Sequence, residues 1–456
     1  MLIENVAQLL DHGHVPARRL VLDILAHALR AADPYRAIAD RVDADAQRLT
    51  LGPIRIPLRG INRLFVVGGG KASQRMAEAI EDRLGTLCAE GVVAVKSGEQ
   101  HRLHRIEAID ASHPIPDERS VYAAGRVMRL ASGAGEHDLV ITVISGGSSA
   151  LLCLPPNGVT LPEKRELHRL LLACGAPIDE VNTVRKHVSA IKGGRLAAAA
   201  LPARVVNFAV SDVVGDPLDC FAGPVVPDST TVEDAIAVLR NRGLWDAIAP
   251  SVRVHLRTSE AESPKTLDPR RVCAAYAMSV TTAGRAALRR AEALGIHAQL
   301  LTLQLEGESQ TVGRDLAREL RRWGEVAIAT GKPVAIIASG EMTVTMPEGG
   351  GTGGPNQEAG LSAAIELEAV PNVGLAFLGT DGTDGPTAMA GALVDGSTAL
   401  RAKAMGVDLW GSIRGHDATP ALRHLADGIM TGATGANVAD LVVGAVVPPS
   451  LTEEEC

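Results

Sequence analysis

The segment VVGGGKAS sets Lys71 directly after Gly68, Gly69 and Gly70 and ahead of a stretch with helical periodicity. Three glycines let a backbone approach an anion closely, a helix start offers free N–H groups, and Lys71 adds a mobile positive charge. This is not a Walker A loop, because Phe65 and Ala72 stand where that pattern needs a glycine and a hydroxyl. Nor is it a dinucleotide fingerprint, since Ser73 occupies the place of its third glycine. The competing reading is a tight strand–helix turn with a solvated lysine. A second junction, ISGGSSALL, gathers Ser145, Gly146, Gly147, Ser148 and Ser149 into a donor-rich nest suited to phosphate or carboxylate. No G-x-S-x-G elbow is present, so anion binding is favoured over a serine nucleophile.

Further candidates follow along the chain. In VNTVRKHVSAIKGGR, Val181, Val184, Val188 and Ile191 recur at helical spacing and would face a core. Asn182, Arg185, Lys186, Ser189 and Lys192 fall off that stripe, either as an anion-binding face or as an ordinary solvated one. Two acidic clusters, SDVVGD and GTDGTDG, close apolar runs. Their Asp212, Asp216, Asp381 and Asp384 suit a magnesium–nucleotide site, which needs only one or two carboxylates, or one of them could act as a general base. Asp-Gly turn chemistry would explain one such cluster; two, one in each half, favour function. SGEMTVT carries Glu341, and GGGTGGPNQE carries Gly353, Gly354 and Asn356 into a helix start. A five-glycine loop is expensive in backbone entropy unless it fits closely against something, the alternative being a flexible hairpin. His113, in HPIPDERS, reads as a structural histidine.

These residues need elements to hold them. An opening helix runs through residues 17–34. Strands are expected at 63–67, 91–95, 138–144 and 204–210, alternating with helices at 71–84, 118–132 and 181–200. Apolar runs bounded by glycine and separated by helices indicate a doubly wound parallel sheet, with ligands beyond the carboxyl ends of its strands. A polar stretch at 257–269 is the best linker. Beyond it the pattern predicts a helix at about 274–294, a strand at 297–303, a helix at about 311–330, paired strands at 332–340 and 342–346, and a buried strand at 372–379. The expected organisation is therefore α/β throughout: a Rossmann-like domain over 1–256, a linker at 257–269, and a second α/β domain over 270–456. The opening helix is free to pack on the second domain.

The chain has 456 residues, 46% of them apolar and 21% charged, an ordinary globular balance. A net charge of −8 and only 3 Trp, 3 Tyr and 4 Phe argue against nucleic-acid binding. Cys88, Cys153, Cys174, Cys220, Cys273 and Cys456 are too dispersed for a zinc site and read as small apolar residues. The start MLIENVAQLL lacks the basic region of a signal peptide, and no run of about 18 apolar residues could span a bilayer. A cytoplasmic protein with no membrane partner is the simplest expectation. A homodimer is one open option for assembly.

Nine segments in order resemble the class II glycerate 2-kinases, the MOFRL-type family often labelled hydroxypyruvate reductase. They are VVGGGKAS, HPIPDE, ISGGSSALL, VNTVRKHVSAIKGGRLA, SDVVGDPLD, SGEMTVT, GGPNQE, GTDGTDGPT and TGATGANVADL, from about residue 66 to 441. The resemblance implies two α/β domains, the second MOFRL-type, with an active-site cleft between them. It implies transfer of phosphate from ATP, with Mg2+, to D-glycerate, giving 2-phosphoglycerate. Combined with the residue reading above, this makes Lys71, Arg185, Asp212 and Asp381 the expected catalytic residues, with Asp212, Asp216 and Asp381 as magnesium ligands. Substrate and nucleotide would be bound by Gly69, Gly70, the Ser145–Ser149 loop, Asn182, Lys186, Lys192, Glu341, Gly353, Gly354, Asn356 and Asp384. Three departures stand out. Pro355 replaces a frequent arginine, FAGP at 221–224 is a residue short of the usual segment and lacks its serine, and Ala388 replaces an acid. The rival readings are an NAD(P)H-dependent hydroxypyruvate reductase, a non-catalytic small-anion binder, and the same kinase chemistry on another hydroxy acid.

Overall fold

The computed structural model describes residues 2–98, 101–210, 223–279, 281–345, 349–436 and 440–449. Asp212, Asp216 and the rest of SDVVGD lie outside the described residues. The chain forms two compact units. One comprises residues 34–210 and 223–277, the other residues 2–33 and 278–449.

The first unit opens with a short antiparallel meander, β1 (Val42–Ala44), β2 (Arg48–Leu51) and β3 (Ile54–Pro57). Its charged, short segments carry no strand-like apolar run. The main sheet has the strands β4 (Leu64–Gly69), β5 (Cys88–Lys96), β6 (Ile106–Ala111), β7 (Leu139–Ser145), β8 (Arg204–Val210) and β9 (Val272–Met278), in the order β6-β5-β4-β7-β8-β9. The pairings β4/β5, β4/β7, β5/β6 and β7/β8 are all parallel. Every residue of β4 and β7 is buried, as helices on both faces require. This is the doubly wound order, in which the chain reverses direction across the sheet between β4 and β7.

Two expectations fail here. The helix expected at 181–200 is two helices, Ile178–His187 and Arg195–Ala200. Between them Gly193 and Gly194 take φ of +60° and +80°, and a Cβ on Gly194 would lie 3.0 Å from the Val226 carbonyl oxygen. Residues 272–278 form β9 rather than the start of a helix, which begins only at Thr281. A short apolar run without clear period fits either state, and an open sheet edge decided it.

The second unit holds a mixed sheet of β10 (His297–Glu308), β11 (Val334–Thr343), β12 (Val373–Gly379), β13 (Gly391–Asp395), β14 (Gly428–Ile429) and β15 (Asp440–Val446), in the order β10-β11-β15-β12-β13-β14. β10 and β11 are parallel, and the other pairings are antiparallel. The strands expected at 332–340 and 342–346 are one strand. Gly340 does not turn the chain but lets β10 pass close, a Cβ there being 2.1 Å from the Leu305 carbonyl oxygen. The opening helix, Val15–Ala31, packs in this unit on β12 and β15 through a buried face that includes Ala17, Val21, Ile24 and Ala28. Cys88 and Cys153 are buried, while Cys174 and Cys273 are partly exposed. Among the described residues no helix is long and apolar enough to cross a membrane.

Candidate active site

The carboxyl ends of β4 and β7 carry the two anion-loop candidates, and the fold ties them together. The Lys71 N–H donates to the Gly146 carbonyl at 2.9 Å, and the Ala72 N–H to Ser145 Oγ at 3.0 Å. Ser73 Oγ donates to the Val143 carbonyl at 3.0 Å. Gly70 (φ +145°) permits this closeness, since a Cβ there would stand 2.1 Å from Ser145 Oγ. At Gly147 a Cβ would lie 3.1 Å from both Lys71 Cγ and the His113 ring. Lys71, the glycine-serine nest and His113 therefore share one place. Burial, then the charges of Lys71 and Lys96, lower the His113 pKa to about 4, so its imidazole is neutral at pH 7. His113 was expected to be a hydrogen-bonded structural residue, yet its ring makes no hydrogen bond to any described residue. The proximity that redefines it is invisible in sequence.

Of the two readings of the basic stretch, the solvated one fails: Asn182, Lys186, Ser189 and Lys192 are all buried. Lys192 Nζ reaches the nest, donating to Ser149 Oγ at 3.0 Å. Arg185 Nη1 donates to Asn182 Oδ1 at 3.3 Å. Lys186 turns elsewhere, to a buried ion pair with Asp228 at 2.5 Å, and Asp228 also accepts from Ser263 Oγ at 2.7 Å. Glu262 and Lys265 join the same knot, so this part of the 257–269 segment is packed into the unit that precedes it. Lys164 and His168, on the helix Leu161–Ala173, stand near Lys192: Lys164 is a second buried cation, while burial and the neighbouring cations push the His168 pKa well below its ordinary value, so its ring is neutral at pH 7. No motif singled them out, although two basic residues four apart on an otherwise apolar face were a usable signal.

In the second unit the glycine loop leads into the helix Pro355–Glu366. Pro355 occupies its first position, where the N–H has no partner within the helix anyway. Asp384 caps this helix: its carboxylate accepts from the backbone N–H groups of Asn356 (3.1 Å) and Gln357 (2.8 Å) and from both their side-chain amides (3.1 Å each). Burial raises the Asp384 pKa against those hydrogen bonds. Asn356 Nδ2 also donates to Asp440 Oδ1 at 2.7 Å. Burial, with Asp384 and Glu341 adding to it, lifts Asp440 to about 7 although Asn356 and the Met342 N–H oppose the shift. Glu341 is exposed near the end of β11. Gly353 packs against the start of the helix Ala418–Leu425, 3.2 Å from a built Cβ to the Ala418 nitrogen, so this loop is no free hairpin. Asp381 Oδ1 accepts from the N–H and hydroxyl of Thr383, at 3.0 and 3.2 Å, and among the described residues Oδ2 has no hydrogen-bond partner. No group of three or more His, Cys, Asp or Glu positioned for a metal occurs among the described residues. A magnesium–phosphate site needs only one or two carboxylates, so this finding does not weigh against one.

Comparison with known proteins adds a family. Residues 20–257 match a domain of unknown function (DUF4147), and residues 334–440 match the MOFRL family. The chain is 38% identical to a glycerate 2-kinase of Pyrococcus horikoshii, over 94% of this chain and 97% of that protein. It is 39% identical to a D-glycerate 2-kinase of Thermotoga maritima, over 94% and 98%, and 34% identical to a human glycerate kinase, over 93% and 91%. A crystal structure of glycerate kinase from Thermotoga maritima superposes with a TM-score of 0.83 at 38% identity, covering 94% of this chain and 99% of that one. A Pyrococcus horikoshii crystal structure gives 0.82 at 36%, covering 94% and 98%.

Proposed function

Because the chain belongs to the glycerate kinase family, with its MOFRL domain, we propose that it transfers the γ-phosphate of ATP to the 2-hydroxyl of D-glycerate. The products are 2-phosphoglycerate and ADP. One observation carries the reading on the side of geometry. The lysine loop and the glycine-serine nest stand on β4 and β7, the neighbouring strands at which the sheet reverses its order, where doubly wound proteins bind ligands.

Phosphoryl transfer needs positioning and charge neutralisation more than covalent chemistry. Lys71 places its cation on the transferring group, whose charge spreads over the equatorial oxygens. The backbone of residues 145–149 and the hydroxyls of Ser148 and Ser149 orient the anionic groups. Magnesium supplies charge neutralisation on the nucleotide when bound. Asp381 has the free carboxylate oxygen to hold it, and Asp212 is the second acidic candidate, for the metal or for the proton of the 2-hydroxyl. Asp384 supports this chemistry indirectly, by fixing Asn356 and Gln357.

The test is ADP release with Mg-ATP and D-glycerate, followed by phosphorus NMR of the product. Expected is 2-phosphoglycerate, with no oxidation of NADH by hydroxypyruvate. Phosphorylation at the 3-position, or no turnover with D-glycerate, overturns the proposal.

A further inference from the structure

The helix Leu161–Ala173 turns Lys164 and His168, four residues apart, to one side. Lys164 is fully buried, and its ammonium donates to the Val188 carbonyl. Lys192, 2% exposed, donates to Ser149 Oγ at 3.0 Å. Arg185 spends one nitrogen on Asn182, while among the described residues its buried Nε has no partner, and the buried Nε2 of His168 has none either. These side chains are close enough for their charges to act on one another: beyond burial, the largest cause, Lys164 and Arg185 depress Lys192, and Lys164, Arg185 and Lys192 depress His168. Among the described residues no carboxylate reaches any of the four. Buried cations without a counter-charge are strongly unfavourable, and a fold retains them where an anion completes them. Lys186 illustrates the contrast, since the neighbouring Asp228 neutralises it.

We infer that Lys164, His168, Arg185 and Lys192 form one built oxyanion subsite, which takes the carboxylate of the hydroxy-acid substrate. The assignment rests on the kinase reading, and it concerns the group that does not react. A non-reacting carboxylate gains from fixed, desolvated donors and from the planar fork of an arginine, because holding it rigidly aligns the hydroxyl. The transferring phosphoryl instead needs a cation able to follow it, which is Lys71. Phosphates of the nucleotide are the other source of the same oxyanion chemistry, and the experiment separates the two.

The subsite also couples binding to protons. Lys192 is surrounded by Lys164, Arg185, His168, Cys153 and Ser149, and burial followed by the Lys164 charge brings it to about 7; burial brings Lys164 to about 8. A bound anion favours their charged forms, so binding above pH 7 takes up protons and weakens as the pH rises. Between pH 7 and 8.5 the dissociation constant should grow by roughly 3- to 10-fold.

The experiment is titration calorimetry of the whole protein, in buffers of different ionisation enthalpy, with D-glycerate alone and with ADP alone. Expected for Lys192→Met and Lys164→Met is a loss of D-glycerate affinity of at least about 30-fold, loss of the proton uptake, and ADP affinity within about threefold of the unsubstituted protein. Should Lys164→Met fail to fold, Arg185→Lys and Lys192→Gln carry the same test. Unchanged D-glycerate affinity, or a loss confined to ADP, overturns the assignment. So does absence of small 2-hydroxycarboxylate binding by the unsubstituted protein. Carboxylate binding with proton uptake, abolished in Lys192→Met, would uphold the subsite even if ADP release failed and the kinase reading fell.

Discussion

At the scale of single residues, position in the fold separates side chains that look equivalent in sequence. Lys71, Lys186 and Lys192 all follow from basic or glycine-rich motifs, but Lys186 is neutralised by Asp228 while Lys192 reaches the nest. Lys71→Ala should lower kcat by about a thousandfold, the scale of removing one preorganised transition-state donor, with little change in melting temperature. A variant of near-normal kcat would remove Lys71 from the chemistry. Asp440 makes a second prediction, about pH. Its folded pKa of about 7 lies above the ordinary aspartate value of 3.8. Well below pH 3.8 the carboxyl is protonated in both folded and unfolded states, so it contributes nothing to the pH dependence there. As the pH climbs from there through 7 the unfolded state ionises first, and stability falls. Glu341→Gln removes one of the like charges raising Asp440, so its titration should move down and the loss of stability should shrink. Carboxyl carbon NMR titration checks the first effect and thermal melts at pH 5 and 8 the second.

At the scale of elements, the close fit of the β4 and β7 ends makes Gly70 a sensitive point. Gly70→Ala introduces a Cβ 2.1 Å from Ser145 Oγ at a φ that alanine avoids. The loops must part, at a cost of about 1–3 kcal/mol in stability. Misplacement of Lys71 by about an ångström should cost kcat about 100-fold. Gly125→Ala, in the middle of the helix Glu118–Ser132 with open space around its Cβ, serves as the control. It should stabilise by about 0.5–1 kcal/mol and leave kcat unchanged. Denaturant melts and steady-state kinetics on both variants decide the matter. Several elements were legible in the sequence, including β4, β5, β7 and β8 and the helices Ser73–Leu84 and Glu118–Ser132. The break at Gly193 and Gly194 and the strand β9 were not, because each depends on a neighbour distant in sequence rather than on its own period; the meander β1–β3 pairs locally, but its strands are too short and too charged to show one.

At the scale of the whole molecule, the first helix belongs to the unit built by the end of the chain. Arg18 is fully buried there, pairing with Asp395 at 3.3 Å and with Asp427, and donating to the carbonyls of Leu9 and Leu393. Arg401 adds a second cation to Asp427, and His12 Nε2 lies 2.8 Å from it. Arg18→Ala leaves two buried carboxylates short of a partner, a change expected to cost about 3–5 kcal/mol. Hydrogen exchange should show that loss in the helix Val15–Ala31 and in β12, β13 and β15, with the amides of β4, β5 and β7 keeping their protection. Equal loss in both units would mean that they unfold as one.

The sequence by itself determined the α/β class, the doubly wound first sheet, the family resemblance and the glycine-rich turns proposed to handle anions. Apolar period, glycine clusters and ordered motifs are local properties, readable along the chain. Only the tertiary structure decided what each charged residue does. It made Asp384 a helix cap, tied Lys186 to Asp228, set His113 beside Lys71, and gathered Lys164, His168, Arg185 and Lys192 without an acid among the described residues. The physical reason is that a charge is defined by its partners and its burial, and both come from segments far apart in sequence.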